Sequence, residues 1–192
     1  NKKKIVKVQY LNIEEIKALL KEARSGLTGG FTSRYMIITA IYTGMRLSEI
    51  QGLTWNDIDW AHQTISISKS WDAVKHQFKD TKNPSSVRTI KVNPELLAIL
   101  KQLQANSRGT MVFLNQYGTI PTSGAVNNTL RSLLTQLGIH KRNFHFHSLR
   151  HSHVALLLAH GVDIYAISKR LGHSNIKTTA NTYAYLIDEY KD

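Results

Sequence analysis

Apolar positions along the chain follow two different periods, and the alternation between them predicts the elements. Ile13, Ile16, Leu19, Leu20 and Ala23 share one helical face, with Asn12 as N-cap and Glu15 three residues on. Ser25-Gly26 and Gly29-Gly30 interrupt the pattern. A second helix is expected from about Thr32 to Thr43, buried through Met36, Ile37, Ala40 and Ile41 and ended by Gly44. A short third helix covers Met45 to Leu53. The period then changes. Thr64 to Ser68 and Val87 to Val92 alternate polar and apolar, as half-buried strands do. With a strand around Trp71 to Phe78, these predict one small antiparallel sheet whose hairpin tip carries Lys82. Asn93-Pro94 then caps a helix led by Leu96, Leu97, Ile99 and Leu100, and another runs from about Ser123 to Leu137 before Gly138. From His147 onward the pattern is helical, with breaks at Gly161 and Gly172. The expected class is mainly α with a small antiparallel β-sheet (α+β).

Composition narrows the function. The 192 residues suit one domain, and 42% hydrophobic with 20% charged residues describe a folded chain. Lys and Arg number 25 against 13 Asp and Glu, a net charge of +12 that points to a polyanionic partner, nucleic acid before membrane. The longest apolar run, Val154 to Ala159, falls well short of the roughly 18 residues a spanning helix needs. No signal peptide is recognisable. Cysteine is absent, which removes disulfides, thiolate nucleophiles and Cys-ligated zinc, and is compatible with a reducing cytoplasm. The basic first ten residues, starting at Asn1 rather than Met, are expected to be a linker (1–10) from a missing N-terminal DNA-binding domain, with the remaining domain at 11–192.

Four segments carry candidate chemistry. In Thr43-Gly44-Met45-Arg46-Leu47-Ser48-Glu49, Gly44 lets the backbone turn so that Arg46 opens the next helix, where it and free N–H groups can face an anion. Glu49 lies on the same face to fix it, although such a pair is equally an ordinary ion pair. In His145-Phe146-His147-Ser148-Leu149-Arg150-His151, one helix face presents imidazole and guanidinium, a set suited to a phosphate with a proton to move. The i, i+4 spacing of His147 and His151 also fits zinc, but the Glu of such motifs is missing. Gly172-His173 places an imidazole in a turn before a helix, and Thr182-Tyr183-Ala184-Tyr185 follows. A free tyrosine, with a pKa of about 10, is a poor nucleophile unless cations and a proton acceptor help it.

Taken in this order, Thr-Gly-Met-Arg-Leu-Ser-Glu, a hairpin lysine, His-Ser-Leu-Arg-His, Leu-Gly-His and Thr-Tyr-x-Tyr-Leu resemble the tyrosine recombinases of the phage-integrase family, from about residue 11 to 190. The resemblance implies a site-specific recombinase that cleaves and rejoins DNA through a 3′-phosphotyrosine, without metal, ATP or other cofactor, to integrate or excise a mobile element. It makes Arg46 and Arg150 phosphate clamps, His147 the base for the tyrosine and His173 a hydrogen-bond partner of the scissile phosphate. Lys82 becomes the general acid for the 5′-oxygen and Tyr183 the nucleophile, with Glu49 and His151 in support. Lys79 and Tyr185 are the rivals for the last two roles; Tyr183 fits the family's spacing, ten residues after His173. Double-stranded DNA is the implied partner, with a homo-tetramer on paired sites and a monomer for the isolated fragment. A type IB topoisomerase-like activity, a DNA-binding module without catalysis and a His-metal phosphodiesterase are the alternatives.

Overall fold

The computed structural model describes residues 7–191, and 1–6, most of the expected linker, lie outside them. Helix α1 (Ile13–Ser25) begins at the expected capping box. The Asn12 side chain accepts from the Glu15 N–H at 2.9 Å, and the Glu15 carboxylate accepts from the Asn12 N–H at 3.0 Å. Such a cap contributes about 1 kcal/mol. Helix α2 (Ser33–Thr43) is buried at every position from Tyr35 to Ile41, so it has no polar face and forms the central post of the domain. Around it pack α1, α4 (Pro94–Ala105), α5 (Ser123–Gln136) and α6 (Phe146–Ala159). The short α3 (Leu47–Gln51) follows α2 after Gly44.

The strands form two sheets where the alternating pattern predicts one. Strands β1 (Ile58–Asp59), β2 (Thr64–Ile67) and β5 (Arg88–Lys91) make an antiparallel sheet in the order β1-β2-β5, with Ile65 opposite Ile90. Strands β3 (Ser70–Asp72) and β4 (Gln77–Lys79) form a separate hairpin in which Trp71 and Phe78 meet edge to face. The tip of that hairpin is residues 73–76. Lys82 lies past β4, in the connection to β5, so its expected place at a hairpin tip is corrected. A 3₁₀ turn, Pro84–Ser86, capped by the Asn83 side chain, shapes this connection.

The C-terminal third folds over a second apolar cluster. Helices α7 (Ile164–Leu171), α8 (Ile176–Thr182) and α9 (Ala184–Glu189) enclose Val154, Ala155, Ile167, Leu171, Tyr183 and Leu186. Val8 and Tyr10 pack against the same cluster, and the Tyr10 hydroxyl donates to the Glu189 carboxylate, so the end of the expected linker is fastened to α9. Among the described residues no helix is long and apolar enough to cross a membrane.

Candidate active site

The site is assembled from helix ends. Gly44 closes α2 in the left-handed region (φ 69°), where a Cβ would also meet His153 Cδ2 at 2.6 Å, and Gly172 closes α7 in the same way (φ 78°). Arg150, 3% exposed on α6, donates from Nη1 to the Gly44 carbonyl and from Nη2 to the Leu171 carbonyl, both at 2.7 Å. A guanidinium is well suited there, because two helix C-termini direct partial negative charge at it. Burial first, then the Arg46 charge, lower Arg150 to about 10, and it stays cationic at neutral pH. Arg46 follows one of the two clamped ends and His173 the other.

Arg46 is the N-cap residue of α3 and donates its backbone N–H to Glu49 at 2.9 Å. Its Nη1 is buried without a hydrogen-bond partner, the nearest carboxylate oxygen of Glu49 being 3.6 Å away. An unpaired buried guanidinium donor is costly, and a phosphate oxygen would satisfy it. Glu49 is bound mainly by Arg88, a residue the sequence reasoning passed over. Arg88 Nη1 and Nη2 grip the carboxylate at 2.8 and 3.1 Å, and its Nε donates to the Arg170 carbonyl at 2.7 Å. Burial opposes ionisation of Glu49, but the hydrogen bonds and charge of Arg88, then of Arg46, hold its carboxyl below the ordinary value. The signal for Arg88 was present: in the alternating run it falls on the inward face with Ile90 and Val92, where a charge must be paired.

The Lys82 segment is pinned to the His173 turn. Ser85 Oγ donates to the Gly172 carbonyl at 2.9 Å, and a Cβ on Gly172 would come within 2.9 Å of Arg88 Nη1 and of Ser86 Cα. Lys82 itself is exposed, close enough for its charge to act on both His147 and His173. His173 Nδ1 pairs with the Thr179 hydroxyl, and burial followed by Arg150, Arg46, Arg88 and Lys82 lowers the imidazole to about 4. Burial, then Arg150, His145, Arg46 and Lys82, lower His147 to about 4 as well, although the residue as a whole is exposed. Both imidazoles are therefore neutral at pH 7.

Tyr183 lies in the turn between α8 and α9, 1% exposed, rather than inside a continuous helix. Its hydroxyl is 2.9 Å from His151 Nδ1. Burial pushes the phenol up to about 12, and the charges of Arg150 and Arg46 offset only part of that rise. Burial thus outweighs the help that the two arginine charges give this phenol. Tyr185, the rival, has Lys7 Nζ 4.6 Å over its ring and neighbours Tyr10 instead. The fold accordingly gathers Arg46, Lys82, His147, Arg150, His151, His173 and Tyr183 at one place, with Glu49 beneath them. His153 and Arg170 support it: His153 Nδ1 pairs with the Ile41 carbonyl at 2.8 Å, and Arg170 Nε donates to His153 Nε2 at 2.9 Å. Among the described residues no three His, Asp or Glu side chains gather as a metal site.

Comparison with known proteins defines the class. Residues 9–189 match the model of the phage integrase family, and the chain belongs to that family. It is 28% identical over 212 residues to a tyrosine recombinase XerC-like protein of Caldanaerobacter subterraneus subsp. tengcongensis, covering 96% of this chain and 52% of that protein. It is 31% identical to the ICEBs1 integrase of Bacillus subtilis, covering 77% of this chain and 43% of the relative. Among solved structures, the Tn1549 transposon integrase in complex with circular intermediate DNA superposes with a TM-score of 0.78 at 22% identity, over 95% of this chain and 64% of that one. The fold is therefore that of tyrosine-recombinase catalytic domains, mainly α with small antiparallel sheets. The chain spans about half the length of the curated relatives it matches.

Proposed function

We propose that the protein is a site-specific DNA recombinase of mobile elements that breaks and rejoins double-stranded DNA through a 3′-phosphotyrosine at Tyr183. The observation that carries this reading is the surroundings of the Tyr183 hydroxyl: a neutral imidazole at hydrogen-bond distance and two arginine charges acting on the same oxygen. In the proposed step Tyr183 Oη attacks phosphorus, the Oη–P bond forms and the P–O5′ bond breaks. Arg46 and Arg150 stabilise the non-bridging oxygens, His173 hydrogen-bonds one of them, His147 takes the proton that Tyr183 loses, and Lys82 gives a proton to the departing 5′-oxygen. Rejoining reverses each transfer and requires neither ATP nor a divalent ion, because the phosphotyrosine retains the bond energy. The +12 charge supports duplex DNA as partner, with strongly salt-dependent binding. The complete reaction would take place in the cytoplasm on paired sites held by a homo-tetramer.

The test uses the full-length protein and a nicked suicide DNA site. A denaturant-resistant protein–DNA adduct is expected with EDTA present and with Tyr185→Phe, and none with Tyr183→Phe. An adduct that survives Tyr183→Phe and disappears with Tyr185→Phe overturns the nucleophile. Relaxation of a supercoiled plasmid lacking paired sites, with no recombinant product from paired ones, would favour the topoisomerase-like alternative.

A further inference from the structure

We infer that Thr179 is the positioning residue of His173: its hydroxyl donates to Nδ1, so that Nε2 carries the ring proton and presents it to the scissile phosphate. The inference rests on the reading of His173 as a hydrogen-bond partner of that phosphate and deepens it. Nδ1 is the ring nitrogen that the protein engages, through the Thr179 hydroxyl. Nε2 has no hydrogen-bond partner among the described residues and is the nitrogen left for DNA.

Chemistry fixes the direction of the Thr179 hydrogen bond. A hydroxyl donates or accepts, and a neutral imidazole does both, one nitrogen in each sense. The ring of His173 is neutral, lowered to about 4 by burial followed by Arg150, Arg46, Arg88 and Lys82, and so has a single N–H to place. Non-bridging phosphate oxygens in a diester carry no proton at neutral pH and only accept. The nitrogen that faces them must therefore hold the hydrogen, which makes Nδ1 an acceptor and the Thr179 hydroxyl its donor. The opposite arrangement, Nδ1–H donating to Thr179, would aim a lone pair at a phosphate oxygen.

Thr179 departs from the habit of the other helical threonines. Thr39, Thr43, Thr129 and Thr182 donate their hydroxyls to the carbonyl four residues back. Thr179, on α8 and 0% exposed, turns its hydroxyl to His173 instead. The two residues are held from separate helices. The His173 N–H donates to the Ser168 carbonyl of α7 at 3.1 Å, so its backbone belongs to the end of α7 while its ring is held by α8. The Asn175 side chain caps α8 through the Thr178 N–H at 3.2 Å. One turn on, the Thr179 carbonyl accepts from the Tyr183 N–H at 3.0 Å. A single buried residue thus orients the donor to the phosphate with its side chain and the nucleophile's backbone with its carbonyl.

The tautomer of His173 separates this role from mere packing. NMR of the ring nitrogens in the DNA-free, full-length protein with isotope-labelled histidine, the His173 signals located by their loss in His173→Gln, should place the proton on Nε2. In Thr179→Val, which keeps the side chain's shape without its hydroxyl, the proton should be shared between both nitrogens. On the suicide site Thr179→Val should slow adduct formation at saturating DNA by about 10–100-fold, the usual cost of losing a group that orients a working imidazole. Affinity for the uncleaved site, measured with Tyr183→Phe in both proteins, should be unchanged. Thr179→Ser restores the hydroxyl and should recover the rate to within about threefold of the parent. The inference is overturned if the parent carries the proton on Nδ1, a measurement that needs no variant at position 179. It is overturned equally if Thr179→Val keeps the parent's tautomer or its cleavage rate, or if Thr179→Ser is as slow as Thr179→Val. An adduct that persists with Tyr183→Phe, or a His173→Gln variant that cleaves at the parent's rate, marks a different failure, that of the proposed site.

Discussion

Replacing Arg88 by Met would test whether the buried Glu49 carboxylate is held by charge. Methionine keeps an apolar stem of similar length while removing the guanidinium. Glu49, with its side chain 1% exposed, would lose its partners at 2.8 and 3.1 Å and keep the Arg46 N–H at 2.9 Å and a guanidinium at 3.6 Å. Breaking one side of a buried ion pair costs about 3–5 kcal/mol, because the remaining charge stays desolvated. For a domain of this size that corresponds to a fall in Tm of roughly 6–20 °C. The pH dependence identifies the cause. In the parent, Glu49 lies below its ordinary pKa, so its contribution is present above the unfolded value of about 4.3 and is lost as pH falls through the folded value. In the variant, burial acts with little opposition and lifts the folded pKa above the unfolded one, so protonation in mild acid relieves the variant. The gap between the two proteins, measured by urea unfolding at pH 7, 5 and 4, should therefore narrow as pH falls. Adding Glu49→Gln should stabilise Arg88→Met at pH 7, although the same change destabilises the parent. A deficit below about 1 kcal/mol, or one that is constant between pH 7 and pH 4, refutes the reasoning.

Two further outcomes follow from the helix-end geometry. Gly172→Ala places a Cβ at φ 78° and within 2.9 Å of Arg88 Nη1 and Ser86 Cα; it should cost about 1–3 kcal/mol in urea unfolding and slow cleavage by displacing the Lys82 segment. Unaltered stability would mean that the β5–α7 contact is not tight. Arg150→Lys should lower the Tm as well as abolish cleavage, since one ammonium cannot replace the paired donors to Gly44 and Leu171, whereas salt-sensitive DNA binding should largely survive on the other cations. Loss of cleavage with an unchanged Tm would remove Arg150 from its supporting role.

The legible parts of this protein were those written in local pattern. The Asn12 capping box, the glycine ends at Gly44 and Gly172, the buried α2 and the motif positions all follow from residues within a few places of one another. The β connection was misread because alternation reports which residues face inward and not which strands pair. Val87 to Val92 pairs with Thr64–Ile67, leaving Ser70–Lys79 as a hairpin of its own and Lys82 outside it. Tyr183 was read as part of a helical stretch because nothing near it in the chain announces the turn, and its burial comes from Val154, Leu171 and Leu186, brought together only by the fold. The same limit hid the hydrogen bond from Tyr183 to His151, 32 residues away.

Arg150 shows most directly why the site could be located from sequence without its construction being visible. The family resemblance proposes it as a phosphate ligand, and its fixed fork of donors suits that role. Yet two of those donors already reach the carbonyls of Gly44 and Leu171, backbone atoms that no residue type announces. The side chain thus holds together the helix ends that precede Arg46 and His173, and the phosphate would meet an arginine whose rotamer is set before DNA arrives. Such preorganisation matters because electrostatic stabilisation of a pentacoordinate phosphorus is strongest when the donors need not reorganise. It also follows that an Arg150→Ala variant removes a cation and the fastening between α2 and α7 together. Its loss of activity therefore measures the two together, and only a parallel stability measurement separates them.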